Sequence, residues 1–142
     1  MQGKLPVKKL HPDAKLPTRT NPGDAGLDLY TLDSASVEWG DKIKLPTGIA
    51  IAIPEEHVGL ILDRSSMGSK GISRLAGVID SPYRGEILVV LANVAGDGPI
   101  DIQAGDKVAQ LLVIPIALLD PQWVEELDET DRGTKGFGSS GR

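Results

Sequence analysis

The sequence predicts an all-β domain: a jelly-roll-like barrel or sandwich of short antiparallel strands, followed by a flexible glycine-rich C-terminal arm. Three observations carry this. Ten prolines and 17 glycines punctuate the 142 residues at short intervals, leaving little room for helices. The intervals hold short apolar runs rich in Val, Ile and Leu, as strands do. The turn sequences Gly40-Asp41, Gly96-Asp97-Gly98 and Gly105-Asp106 fall between such runs and are expected to join antiparallel strands.

The strand-like runs are, in order, Leu5–Leu10, Leu27–Leu32, Lys42–Pro54, Val58–Leu62, Ile72–Asp80, Glu86–Ala95, Ile100–Gln103, Val108–Leu119 and Trp123–Leu127. One helical turn is expected around Ser65–Lys70, between the fourth and fifth runs. Ile87–Ala92 and Leu111–Leu119 are apolar at successive positions, where a strand wetted on one side would alternate. Such strands lie between two packed layers or bury their second face in another subunit. The run Trp123–Leu127 follows a proline break and reads as a strand leaving the parent domain. Residues 1–128 therefore form the β domain and residues 129–142 the arm. From Arg132 onward, the last eleven residues hold four glycines and two serines. Glycine loses the most backbone freedom on ordering, so this arm should be mobile when free. It nevertheless carries Phe137, the only phenylalanine, beside Arg132 and Lys135. A flat ring among bare amides and cations suggests a flap that orders over an anionic, aromatic ligand.

Composition narrows the function classes. Hydrophobic residues are 40% and aromatic residues 4%, so the core must rest on Val, Ile, Leu and Ala. Trp39 and Trp123 are expected to pack. A net charge of −5 argues against a nucleic-acid coat or an anionic-membrane partner. The absence of cysteine excludes disulfides and thiolate metal sites. No apolar leader or membrane-length run is visible, and a cytoplasmic protein is expected.

Polar residues inside apolar runs mark the candidate site, because unpaired burial is costly. Asp28 interrupts Ala25-Gly-Leu-Asp-Leu29, Asp80 ends Leu75-Ala-Gly-Val-Ile-Asp80, and Gln110 is the one polar side chain in Val108–Leu119. Arg64 ends Val58–Arg64 just before Ser65 and Ser66. Two carboxylates, a guanidinium, two hydroxyls and an amide are the parts of a phosphate site that uses a metal and activates water. His11 and His57 lie too far apart in sequence to suggest a metal pair, and no Gly-Lys-Ser/Thr phosphate loop is present.

In this order, the segments resemble the five motifs of the homotrimeric dUTPase (deoxyuridine triphosphate nucleotidohydrolase) family. They are Ala25–Leu29, Arg64-Ser-Ser-Met-Gly-Ser-Lys-Gly71, Gly77-Val-Ile-Asp-Ser-Pro-Tyr-Arg-Gly-Glu86, Gly105-Asp-Lys-Val-Ala-Gln110 and Arg132–Ser140. The resemblance implies hydrolysis of dUTP to dUMP and pyrophosphate, with Asp80 orienting the attacking water. It implies that Arg64, Ser65, Ser66 and Gln110 hold the phosphates and that Asp28 holds Mg²⁺ through water. Tyr83 would lie under the deoxyribose and exclude a 2′-hydroxyl. Main-chain groups of Gly77, Val78 and Ile79 would read uracil. Phe137 would stack on the base while Arg132, Gly138 and Ser139 close over the γ-phosphate. Three subunits would contribute to each site. Ser66, Arg74 and Pro82 depart from the usual motifs. The alternatives are a dCTP deaminase-like enzyme, whose proton-transferring glutamate position is occupied here by Val90, and a non-catalytic nucleotide-sensing relative.

Overall fold

The structure, a computed structural model, describes residues 3–95, 97–136 and 138. Among the described residues, eleven strands and one helical turn run in the order β1 (Val7–Lys9), β2 (Leu27–Tyr30), β3 (Ala35–Val37), β4 (Lys42–Pro46), β5 (Ile49–Ile51), β6 (His57–Leu62), α1 (Ser65–Gly68), β7 (Ile72–Leu75), β8 (Val78–Asp80), β9 (Leu88–Asn93), β10 (Ile100–Ile102) and β11 (Lys107–Pro115). They form one four-stranded sheet, β2-β11-β6-β8, one three-stranded sheet, β4-β9-β7, and the strand pairs β1-β5 and β10-β3. Every ladder is antiparallel. Here the fold class follows the sequence.

The turns behave differently from expectation. Among the described residues, no ladder joins two strands that are consecutive in the chain. Gly40-Asp41 links β3, which pairs with β10, to β4, which pairs with β9. Gly105-Asp106 likewise carries the chain from β10 to β11, in another sheet. These glycine turns are corners between sheets. Two expected long strands are also broken. Thr47 and Gly48 divide Lys42–Pro54, with Gly48 at φ +72°. A Cβ on Gly48 would sit 2.9 Å from Leu32 Cδ1 and 3.0 Å from both Ala14 Cβ and His11 Cβ, so only glycine fits. Ala76 and Gly77, at φ +57° and +111°, divide Ile72–Asp80. The first half, β7, joins β9, and the second, β8, joins β6.

The core is aliphatic, as the shortage of aromatics requires. Leu29, Leu45, Ile51, Ile72, Ile87, Val89, Leu91, Ile102, Val108 and Leu111 are buried within it. Of the runs that read as two-sided, Ile87–Ala92 alternates within β9: Val89 and Leu91 face the core, while Leu88 is exposed and Val90 half-buried. In β11, Leu111 is buried and the next three residues, Leu112, Val113 and Ile114, are all half-buried, so neither face of this stretch is open to water. Strand β11 ends at Pro115, short of Leu119. Beyond it, residues 117–136 contain no strand, and the expected strand Trp123–Leu127 is an exposed irregular segment with a bend at Glu125. Leu118, Leu119, Trp123, Val124 and Leu127 stand out of it, Trp123 at 99% exposure. Trp39 is 64% exposed, so among the described residues neither tryptophan is buried in the core.

Candidate active site

The first cluster is built across one end of the four-stranded sheet. Register places Asp28 of β2 opposite Gln110 of β11, and Gln110 opposite Leu62 of β6. The chain leaves β6 through Asp63 and turns at Arg64, whose extended backbone (φ −79°, ψ 143°) precedes α1. Met67, buried under the turn, pins it to the core. Arg64 then lies back over the sheet. Its Nε donates to Asp28 Oδ1 at 3.2 Å, and Nη1 donates to the Lys107 carbonyl at 3.2 Å. Lys107 Nζ approaches Asp28 Oδ2 at 3.2 Å, and Thr20 Oγ1 donates to the same oxygen at 3.0 Å.

Lys107 and Gln110 reach this spot together because β11 is irregular. Its register with β2 shifts between Lys107 and Ala109. In a regular strand, residues three apart point to opposite faces. One extra residue restores them to the same face, which is why the consecutive residues Val108 and Ala109 are both buried. Gln110 packs directly on the backbone of Gly26: a Cβ there would lie 3.0 Å from Gln110 Cδ. The Gln110 Nε2 donates to the Asp63 carbonyl at 2.8 Å, leaving its side-chain oxygen toward Gly26. Ser65 and Ser66 are exposed beside Arg64.

Burial pushes the Asp28 carboxyl up. The Thr20 hydrogen bond, the Lys107 hydrogen bond and charge, and the Arg64 charge together outweigh it, holding the group below its ordinary value of 3.8. Asp28 is therefore ionised and already engaged on both oxygens. Among the described residues, no three carboxylate or histidine side chains come together to hold a metal. Direct ligation does not fit this cluster. A carboxylate offers about four lone-pair sites, of which three are taken here, so a water on the fourth is compatible with an ion held mainly by phosphates.

The second cluster surrounds a cavity of about 210 Å³ lined by Ala76–Asp80, Tyr83, Glu86 and Leu88. Gly77 is required: its Cβ would meet the Ile61 carbonyl at 2.8 Å, and its own carbonyl accepts from Ile61 N at 2.8 Å. That bond fixes the phase of the β6–β8 ladder. Antiparallel pairs alternate between bonded and non-bonded, so Ile79 faces β6 while Val78 turns its N–H and C=O to the open edge. Strand β8 is the edge of its sheet, and an unpaired edge is a template for hydrogen bonding. Asp80 closes the strand with an exposed side chain, and its carbonyl accepts from Tyr83 N at 3.0 Å. Arg74, one of the unusual residues, curls locally: its Nη1 donates to the Ala76 carbonyl at 2.8 Å and its N to Asp63 Oδ1 at 2.6 Å.

The sequence-predicted residues thus fall into two groups. Asp28, Arg64, Ser65, Ser66 and Gln110 gather at one end, joined by Lys107 and Thr20, which sequence reasoning missed. Gly77, Val78, Ile79, Asp80 and Tyr83 gather at the other. Asp80 pairs with Val58 and Gln110 with Leu62, four residues further along β6. At about 3.3 Å per residue and about 4.8 Å per strand, the two lie about 13 Å apart along the sheet and about 10 Å across it. One chain does not bring them together. Arg132 is exposed, its Nε donating to the Lys135 carbonyl at 2.9 Å, and Gly138 adopts φ +80°. Phe137 and Ser139 lie outside the described residues.

A cationic end whose guanidinium keeps one edge without a partner among the described residues can take a phosphate chain, and an open strand edge beside an aromatic ring can take a base. The particular family follows from comparison. The family model described as dUTPase matches residues 12–141. The deoxyuridine 5'-triphosphate nucleotidohydrolase of Nocardia farcinica is 46% identical over 140 residues, covering 96% of this chain and 85% of its own. That of Corynebacterium diphtheriae is 46% identical over 138 residues, covering 95% and 91%. Among solved structures, a point mutant of the Staphylococcus bacteriophage 80alpha dUTPase with dUpNHpp superposes with TM-score 0.93 at 30% identity, covering 99% of this chain and all (100%) of that one. A mutant dUTPase from phage phi11 of S. aureus, described with a structural Mg(II) ion, gives TM-score 0.80 at 29% identity, covering 87% and 98%. The chain belongs to the dUTPase family.

Proposed function

We propose that the chain hydrolyses dUTP to dUMP and pyrophosphate in sites shared between subunits of a homotrimer. The observation that carries the shared site is the separation of two complete half-sites along β6. Asp80 must stand at the α-phosphorus, and Arg64 and Gln110 must touch the same phosphate chain. A gap of this size in one chain calls for Asp80 from one copy and Arg64 from another. The exposed Leu118, Leu119, Trp123, Val124 and Leu127 supply apolar surface that a monomer would leave in water.

In this reading uracil meets the open edge of β8, where Val78 presents a donor and an acceptor. Gly77 and Ile79 shape the strand, and Tyr83 bounds the sugar and leaves no room for a 2′-hydroxyl. Arg64 has Nη2 free of partners among the described residues and turns it to the phosphates. Ser65, Ser66 and Gln110 complete the grip. Asp80 takes a proton from, or a hydrogen bond of, the water that attacks the α-phosphorus. An oxygen–phosphorus bond forms to water, the bond to the bridging oxygen breaks, and pyrophosphate leaves with that oxygen. A Mg²⁺ on the phosphates would neutralise developing charge, with Asp28 reaching it through water. Arg132, Phe137, Gly138 and Ser139 close over the γ-phosphate and base, excluding water other than the nucleophile.

The deaminase alternative finds no support in the relatives, which are dUTP nucleotidohydrolases. Val90 faces Lys44 and Leu75 across the β4-β9-β7 sheet and offers no proton-transfer group. Incubation with dUTP, dCTP, dTTP and UTP in Mg²⁺, with products separated by chromatography, tests the activity. Pyrophosphate and dUMP from dUTP alone are expected; release of uracil nucleotides from dCTP would overturn the reading.

A further inference from the structure

Tyr83 is held from below by a bracket that the reaction does not itself use. Its Oη donates to the Glu86 carbonyl at 2.8 Å, so the ring folds back over Gly85. The ring occupies the place a side chain at 85 would need: a Cβ there would fall 2.6 Å from Tyr83 Cζ and 2.9 Å from Cε1. Glu86 is in turn anchored to the turn between β4 and β5. Its Oε2 accepts from Gly48 N at 2.9 Å. The next residue is fastened on both sides, Ile87 N to the Ile49 carbonyl at 2.8 Å and the Ile87 carbonyl to buried Thr47 Oγ1 at 2.6 Å. The β4–β5 turn that supplies these groups is closely packed: Gly48 has a positive φ, and Leu32, Ala14 and His11 lie within 3.0 Å of where its Cβ would be.

From this chain of contacts we infer that Glu86 is a positioning residue for sugar selection, acting through Tyr83 and resting on the nucleotide reading above. The Glu86 carboxylate fixes residues 83–87 against the Thr47–Ile49 turn. That fixes the height of the Tyr83 ring over Gly85, and with it the clearance beneath the sugar. A ring held at one height can reject a 2′-hydroxyl by contact, whereas a ring free to drop admits it. Rejection by a pocket of this kind is worth about 10- to 200-fold, and it depends on rigid walls. Removing the carboxylate also leaves the Gly48 N–H without its acceptor, which loosens the bracket from the other side.

The test compares kcat/KM for dUTP and UTP in the wild type, Glu86→Ala, Glu86→Gln and Gly85→Ala, each first checked for native mass and a cooperative melt. The dUTP/UTP ratio should fall at least about tenfold in Glu86→Ala, mainly through a rise in UTP turnover. Glu86→Gln should restore the ratio, because its amide oxygen still accepts from Gly48. If Glu86→Ala does not fold, Gly85→Ala pushes the ring off its seat while leaving the Glu86–Gly48 bond in place, and must lower the ratio itself. An unchanged ratio in folded Glu86→Ala or Gly85→Ala overturns the inference, as does Glu86→Gln behaving like Glu86→Ala. A wild type that does not prefer dUTP defeats the nucleotide reading instead, and the inference with it.

Discussion

Replacing Asp28 by asparagine removes the one anion that three donors share, and the structure sets the size of the effect. Arg64 Nε, Lys107 Nζ and Thr20 Oγ1 converge on it at 3.2, 3.2 and 3.0 Å. The Asp28 side chain is 13% exposed, Arg64 27% and Lys107 35%. The Lys107 pair is open enough to be screened, whereas the Arg64 bond is more protected. Asparagine keeps one acceptor and turns an NH₂ toward the remaining donors. A loss of about 1–3 kcal/mol is expected, mostly from Arg64 and Thr20. The pH dependence gives the sharper check. The folded carboxyl titrates below its ordinary value of 3.8, so its contribution is full above that value and is lost as pH falls through the depressed one. Urea denaturation of wild type and Asp28→Asn, at equal protein concentration, should show the full gap near neutrality and a gap that shrinks progressively only as pH is lowered below the ordinary carboxyl value of 3.8. A gap that shrinks already above pH 3.8, or none at neutrality, would refute the assignment of the shift to this cluster.

Other outcomes follow from the same geometry. Gly77→Ala should cost at least about 1–3 kcal/mol and displace β8, because φ +111° and the Ile61 carbonyl at 2.8 Å both oppose a Cβ; a thermal melt measures it. Asp80→Asn should bind a non-hydrolysable dUTP analogue with little change while turnover falls about 10²–10⁴-fold, read by calorimetry and pyrophosphate release. Deleting residues 132–142 should leave the melt and the number of subunits unchanged yet remove most turnover, since a segment so rich in glycine and serine has little apolar surface to give a core; full activity would make the arm dispensable.

The fold class was legible because proline and glycine spacing excludes long helices whatever the topology. Topology was not legible, because turn dipeptides record where the chain bends and not which strand it meets. Gly40-Asp41 and Gly105-Asp106 look like hairpin turns and are corners. Strand β3 escaped notice because Ala35-Ser-Val37 is too short to show a period. Asp28, Arg64, Asp80 and Gln110 were visible as polar breaks in apolar runs. Lys107 was hidden by the irregularity in β11, since strict alternation places it on the face opposite Gln110. Thr20 carries no signal in a loop of polar residues. The division into two half-sites depends on Asp80 meeting Val58 and not Leu62, a matter of register that no single segment encodes.

The central claim is that one subunit's Asp80 serves a phosphate chain held by another subunit's Arg64. Asp80→Asn and Arg64→Ala, each nearly inactive alone, can be unfolded together, refolded as an equal mixture and assayed for dUTP hydrolysis. Random assembly gives each site a one-half chance of an intact Asp80 and, independently, a one-half chance of an intact Arg64 from the neighbour. The account predicts recovery of about a quarter of the wild-type rate, in a mixture that neither parent approaches. A refolded mixture of native mass with no more activity than its parents would place both residues in one chain's site and contradict the account.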